Sequence, residues 1–222
     1  SGSMFEYLMP MLVMPSYEGT LLDQTCHAAV CRQIAYGKQR GLPWGISESG
    51  YYTFDASLNY QYHAFGVPGL GFKRGLAEDA VISPYASVLA LMVAPEAACE
   101  NLERLASAGV EGRFGFYEAV DYTDSRLARG QTSALVQSFM VHHQGMSLLA
   151  LAHLLLDRPM QRRFAADPLF QATLLLLQER IPKSSVLHTH VAEHADGAGV
   201  VPVSVVRAPH RRTDARRDLV AD

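Results

Sequence analysis

Apolar residues recur every three or four positions along most of the chain, the spacing of one buried helix face. Between residues 20 and 40, Leu22, Cys26, Val30 and Ile34 form one i, i+4 row, and Gly41 followed by Pro43 stops it. A second apolar helix is predicted over 84–94 with Ser83 as N-cap. Pro95 then opens a third, in which Ala98, Leu102, Leu105 and Ala106 share a face, Glu100 faces Arg104 and Gly109 closes the end. The longest predicted helix is 132–156, with Leu135, Phe139, His142, Met146, Leu149 and His153 along its stripe. Helices over 159–166 and 168–180 follow, the latter capped by Asp167 with Pro168 at its first position.

Two segments break this period. Residues 44–72 hold eight aromatic side chains in 29 positions, about three times the chain average of 9%. Residues 112–122 set Phe114, Phe116, Tyr117 and Tyr122 around Glu118 and Asp121. Both read as Gly-punctuated loops with short strands, and 59–63 alternates as a strand does. Beyond Pro182 the texture changes again. Residues 200–206 suit a strand and 207–222 are charged without pattern, so the chain divides into a domain over 1–182 and a linker or disordered tail over 183–222.

Composition narrows the classes. The 222 residues are 49% apolar with a formal net charge of -3, which excludes a disordered chain and argues against nucleic acid as a partner. The apolar runs 4–14 and 148–156 are too short to span a bilayer and are broken by Glu6, Pro10 and His153. No basic leader is visible, and the abrupt apolar start suggests a sequence that begins inside a larger protein. Cys26, Cys31 and Cys99 lack metal-type spacing and read as small core residues of a reducing compartment.

Several motifs invite chemistry and are weighed against plainer readings. Gly69-Leu70-Gly71-Phe72-Lys73-Arg74-Gly75 matches no phosphate-loop pattern and reads as a tight turn aiming Lys73 or Arg74 into a cleft. His188, His190 and His194 have no recognised zinc spacing, so no metal is expected. His142 lies on the apolar stripe and is assigned to packing, whereas His143 points off it, 100° away, so the two are not expected to share a partner. Gly145, costly in mid-helix, suggests a close approach by a neighbouring helix or a ligand. The informative feature is carboxylates among aromatic rings: Glu48 near Trp44 and Tyr51, Glu118 after Phe116-Tyr117, Asp121 before Tyr122, and Glu6 between Phe5 and Tyr7. Partial desolvation raises a carboxyl toward the working range of a general acid, and ring faces stack on sugars. Two such groups across a cleft fit glycosidic chemistry. The plainer reading is that these acids cap helices or pair with Lys73, Arg74 or Arg113.

Six motifs in order carry a resemblance: residues 4–10 (MFEYLMP), 44–49 (WGISES), 58–62 (LNYQY), 65–71 (FGVPGLG), 115–119 (GFYEA) and 142–147 (HHQGMS). They resemble the glucoamylase-like domain of bacterial cyclic β-1,2-glucan synthases, related to endo-β-1,2-glucanases, over residues 1–182. The resemblance implies an all-α fold, an incomplete (α/α)6 toroid of antiparallel helix pairs with Gly- and aromatic-rich functional loops at one end. Six or seven helices are countable here, too few for the ring, so the chain corresponds to the second half of that domain. The implied activity is cyclising transglycosylation of linear β-1,2-glucan, made by a glycosyltransferase domain of a membrane-anchored parent on the cytoplasmic side of the inner membrane. Endo-hydrolysis and glucan binding without chemistry are the alternatives. The remaining half of the domain and the glycosyltransferase domain are the implied partners, the piece itself is soluble, and no cofactor is expected. For the site, Glu118 is assigned as general acid/base and Glu48 as its nucleophilic or base partner, with Glu6 and Asp121 in reserve. Trp44, Tyr60, Tyr62, Tyr117 and Tyr122 are assigned to sugar rings, and Asn59, Gln61, Lys73, Arg74 and Gln144 to hydroxyls. His143 is expected to border the glycan or hold the 115–121 loop.

Overall fold

The computed structural model describes residues 1–181; the readings for 183–222, including the 200–206 strand and the three tail histidines, lie outside the described residues. Helices dominate. The first, α1 (Met4–Leu8), opens with a capping box in which Ser3 Oγ accepts from the Glu6 N–H and the Glu6 carboxylate accepts from the Ser3 N–H. A 3-10 turn over Met9–Leu12 follows. The long helix α2 (Leu21–Arg40) starts at the Thr20 cap and ends at Gly41, whose φ of 68° is the left-handed stop that a glycine adopts freely. α3 (Pro84–Ala90) and α4 (Pro95–Ser107) each begin on a proline, at the position where a missing N–H costs nothing. Arg104 does not turn to Glu100 but donates to the carbonyls of Gly41 and Leu42 at 2.9 and 3.0 Å, satisfying the end of α2.

Both aromatic segments contain strands, as their lack of helical period implies. β1 (Glu48–Phe54) and β2 (Tyr60–Ala64) form an antiparallel hairpin with Gly50 opposite Tyr62. β3 (Val81–Ile82) joins a three-stranded antiparallel sheet in the order β3-β6-β7, and β4 (Glu111–Gly112) pairs with β5 (Gly115–Phe116). β6 is Ala119–Asp121 and β7 is Ala134–Val136. β7 corrects the predicted helix over 132–156: residues 134–136 spend their backbone groups on β6, and α5 runs only over Val141–Leu155. α6 (Pro159–Ala166) stands as predicted. The helix predicted over 168–180 is one α-turn, α7 (Pro168–Gln171), continued as a 3-10 helix over Ala172–Gln178. The helix predicted over 84–94 stops at Ala90.

Two apolar clusters hold the fold. One gathers Met4, Leu8 and Leu12 with Cys26, Val30, Tyr85, Leu89 and Ala150, all from helices. The other gathers strand residues, Val81, Ile82, Val120 and Val136, with Tyr36, Ile46 and Leu105. Cys26 is buried, but Cys31 and Cys99 are exposed, correcting their assignment to the core. The segment 44–47 runs between the clusters under two buried amides. Gln33 of α2 accepts from Ile46 N–H and donates to its carbonyl, at 2.9 and 2.7 Å, while Asn101 of α4 does the same for Trp44 at 3.1 and 2.8 Å. A chain clamped on both sides this way fixes where its next residue, Glu48, begins β1.

Candidate active site

Glu118 lies between β5 and β6 and is held by its backbone and its side chain. Its N–H donates to Ser138 O at 3.0 Å, and its carbonyl accepts from Ser83 Oγ at 2.6 Å. Ser83 thus stands at the N-cap position of α3 without capping it. The Glu118 carboxylate accepts from the Gly50 N–H at 3.1 Å and lies 3.0 Å from His143 Nδ1, with a side chain 1% exposed. Gly50 permits that approach, because a Cβ there would come within 3.3 Å of Glu118 Cγ and 3.2 Å of Val136 Cγ1.

His143 stands on the first turn of α5 and is fully buried. Its ring lies 3.7 Å from that of Tyr85, 9° from parallel. The Tyr85 hydroxyl reaches Ser47 Oγ at 2.8 Å and the Glu48 carbonyl at 2.9 Å, and burial pushes this phenol well above its ordinary range. On the other side of the imidazole, His143 Nε2 is 3.2 Å from the Tyr62 hydroxyl. That hydroxyl also lies 3.3 Å from His142 Nε2 and 3.4 Å from Glu48 Oε2. Burial, joined by the charges of Glu48 and Glu118, pushes the Tyr62 phenol up. Burial, joined by the charge of His143, holds His142 below the usual imidazole range, with Glu118 and Glu48 opposing. Tyr62 Oη therefore sits at the junction of both histidines and Glu48, with Glu118 on the far nitrogen of His143.

This arrangement reverses the expectation for the histidines. His143 is the packed one and His142 is exposed. They do share a partner: both rings lean toward Tyr62, with centroids 4.1 Å apart. His143 does hold the 115–121 loop, through Glu118. Gly145, expected at a close approach, has nothing within 4 Å of where a Cβ would stand, so no described neighbour requires it.

The other assigned residues divide by where their polar atoms go. Glu6 is exposed and serves α1; burial opposes its charge, yet the Ser1 hydroxyl and the N–H groups of Gly2 and Ser3 help hold its carboxyl below the usual carboxylate range. These partners outweigh its partial desolvation, so it is not an acid held neutral among rings. Asp121 is fully buried, but its carboxylate accepts from Arg126 at 2.7 and 3.1 Å and from the N–H groups of Tyr52 and Thr123, which leaves nothing to offer a substrate. Arg126 also reaches Asp79 at 2.6 Å, so the plainer ion-pair reading holds for Asp121, with a different arginine. Trp44 is buried in the first core and presents no face to sugar, while half-buried Tyr122 packs against the second. Tyr60 spends its hydroxyl on β7, at Leu135 O and the Gln137 N–H. Asn59 ties the β1–β2 turn to Asp55. Lys73 Nζ lies 2.6 Å from His63 Nε2 on the surface, beside exposed Arg74. Gln61 is half-buried on β2 opposite Tyr51, and Gln144 is exposed on α5. Half-buried Tyr117 lies 5.6 Å from exposed Phe139, which meets Phe114 edge-on at 6.4 Å. Sequence reasoning missed Tyr85, Ser83 and Gly50, whose pattern reads only as a helix start and a strand glycine. Among the described residues no group of three or more His, Cys, Asp and Glu is placed to hold a metal ion.

The mostly helical body with its short strands is the fold of an incomplete (α/α)6 toroid of the glucoamylase type. Residues 1–167 match the glycoamylase family, described as "Putative glucoamylase", and the chain belongs to that family. Among curated proteins it is 49% identical over 183 residues, 82% of the chain, to the cyclic beta-(1,2)-glucan synthase NdvB of Rhizobium meliloti (strain 1021). That match spans only 6% of the relative's length. Among solved structures, a Bacteroides caccae protein of the same glucoamylase description superposes with a TM-score of 0.55 at 19% identity, over 80% of this chain and 41% of that one. The endo-beta-1,2-glucanase of Chitinophaga pinensis, solved with sophorotriose and glucose, gives 0.53 at 16% identity, over 80% and 41%. At these identities the structural likeness shows the fold.

Proposed function

We propose that this chain contributes the reacting groups of a site that breaks and re-forms glycosidic bonds in β-1,2-linked glucan. Within a longer protein of the cyclic glucan synthase kind, that chemistry closes linear glucan into rings. The observation that carries this reading is the convergence of Glu48 and Glu118 on the Tyr62–His143 pair. A general acid must reach the glycosidic oxygen. Glu118, sealed beneath Gly50 and His143, cannot do so in this conformation, whereas Glu48 is half-exposed. The direct role therefore falls to Glu48, and Glu118 acts from the floor of the site through His143. The exposed faces of Tyr62 and Phe139, each 40% accessible, offer the apolar platform that sugar C–H faces prefer. The names of the relatives support β-1,2-glucan as substrate, a glucan synthase at 49% identity and a glucanase by fold. In such a synthase the linear chain comes from a glycosyltransferase domain at the cytoplasmic face of the inner membrane. Among the described residues no helix is long and apolar enough to cross a membrane.

The test uses the complete protein carrying this chain and linear β-1,2-glucan, with products read by mass spectrometry. Rings, one water lighter than the linear chain, show transfer; shorter linear chains show hydrolysis, the second reading, which the glucanase fold favours. Glu48→Gln is expected to lower either product about 10²- to 10⁴-fold, the usual worth of an acid–base group. Product at the wild-type rate from Glu48→Gln removes Glu48 from the chemistry, and binding of glucan without any product makes the site a binding module.

A further inference from the structure

We propose that Tyr62 is a positioning residue that ties the protonation of Glu48 to that of His143, because its single O–H can be donated to only one of them. The inference deepens the glycosidic reading and rests on it for its consequence, though not for its geometry. It begins from an inventory of protons. The Tyr62 hydroxyl has one proton to donate and two lone pairs to accept with. Three groups meet it, Glu48 Oε2 at 3.4 Å, His142 Nε2 at 3.3 Å and His143 Nε2 at 3.2 Å. His143 Nδ1 faces the Glu118 carboxylate at 3.0 Å, so that nitrogen carries a hydrogen whichever state the ring is in. Only Nε2 is free to gain or lose one.

Two arrangements with one shared proton satisfy Glu48, Tyr62 and His143, and in both His142 Nε2–H donates to the remaining lone pair of the Tyr62 oxygen. In the first, Glu48 is ionised and accepts the Tyr62 O–H, and His143 Nε2–H donates to the Tyr62 oxygen. In the second, Glu48 carries the proton, the Tyr62 O–H turns to His143 Nε2, and that nitrogen accepts. Passing between them breaks the Nε2–H and Tyr62 O–H bonds and forms a new Tyr62 O–H and a Glu48 O–H. The proton count is unchanged and no other reactant is needed. With neither protonated, Glu48 and His143 Nε2 compete for the one Tyr62 O–H, and the buried imidazole nitrogen incurs the penalty of an unmade hydrogen bond when it loses. With both protonated, the O–H turns to His142 Nε2. The groups that face His143 are Glu118 from the β5–β6 connection, Tyr85 from α3, Tyr62 from β2 and His142 beside it on α5, with Glu48 of β1 beyond Tyr62. Tyr85 stacks on the ring face and does not bond its nitrogens, and the Glu118 contact is occupied in both arrangements, so Tyr62 is the exchange point. In the glycosidic reading this device loads Glu48 with a proton for the leaving oxygen and recovers it afterwards.

Residue-assigned NMR of the full chain tests the coupling without any glucan. Coupled groups titrate in shared steps, so the Glu48 carboxyl carbon and His143 Nε2 are expected to report the same steps with pH. In Tyr62→Phe, which keeps the ring of a 40% exposed residue, the two signals are expected to titrate independently. Independent titration in the unsubstituted chain, or a Glu48 step that appears in His142 and not in His143, overturns the proposal. A second arm reads the pH–rate profile of the complete protein on linear β-1,2-glucan. There Tyr62→Phe is expected to lose about a hundredfold in kcat, the low end for an acid–base group, with little change in KM and an altered pH profile. An unaltered profile also overturns the proposal. Shared NMR steps in a protein that leaves glucan untouched sink the glycosidic reading and leave the coupling standing. Separate steps in a protein that processes glucan do the reverse.

Discussion

His143 is 1% exposed, stacked on Tyr85 and bonded at both nitrogens, while His142 beside it is exposed and meets the cluster only at Tyr62 and the His143 ring. Removing the His143 ring leaves a cavity and a buried Glu118 carboxylate with the Gly50 N–H alone. His143→Ala is therefore expected to cost about 2–4 kcal/mol of stability, and His142→Ala about 0.5 kcal/mol or less, both read from urea melts. Equal losses in the two variants refute this reading of α5. The stripe along residues 139–149 placed His142 inside because it assumed one helix from 132 onward. With α5 beginning at Val141, the first turn meets Tyr62 of the β-hairpin and Tyr85 of α3, and the facing is set by Glu118, 25 residues away. Asp121 shows the same limit. Its position among aromatic residues was legible, but its pairing with Arg126 depends on a turn that residue types alone do not specify.

At the scale of elements, two helix glycines invite the same substitution with opposite outcomes. In α2, a Cβ on Gly37 would stand 2.8 Å from Trp44 Cβ and 3.1 Å from the Leu42 carbonyl, so α2 and the 44–47 segment touch through that missing side chain. Gly37→Ala is expected to lose about 1–3 kcal/mol, the usual cost of overpacking, and to loosen the clamp that starts β1. In α5, Gly145→Ala meets nothing within 4 Å and is expected to gain about 1 kcal/mol from helix propensity alone. Thermal melts of both check this; a loss at Gly145 would mean that something outside the described residues packs there. The helices with proline starts and glycine stops were legible because their signals are local. The β3-β6-β7 sheet was not, since strands of two or three residues are too short to show alternation.

For the whole molecule, the outer face of α5 is the notable surface. Val141, Leu148 and Leu155, seven residues apart, are 87%, 68% and 71% exposed, and Leu175 and Leu176 are each 75% exposed. Contiguous apolar surface beyond a few hundred Å² favours association. The isolated chain is expected to self-associate with rising concentration in light scattering, and Leu148→Glu with Leu155→Lys to reduce it. A wild-type chain that stays monomeric at every concentration would show this face to be covered.

The local physics of the sequence determined the helix-rich class, the bounds of α2, α4 and α6 and the strand near 59–63, because caps, prolines and periodicity act within a few residues. It also determined that acids stand among aromatic rings, since that is composition. Which acid faces solvent was decided only by the tertiary structure. Glu48 and Glu118 sit in similar aromatic surroundings along the chain, but Glu118 is closed over by Gly50 and His143, while Glu48 meets solvent beside Tyr62. Burial is a property of what arrives from elsewhere in the chain, and here the covering groups come from 68 and 25 residues away.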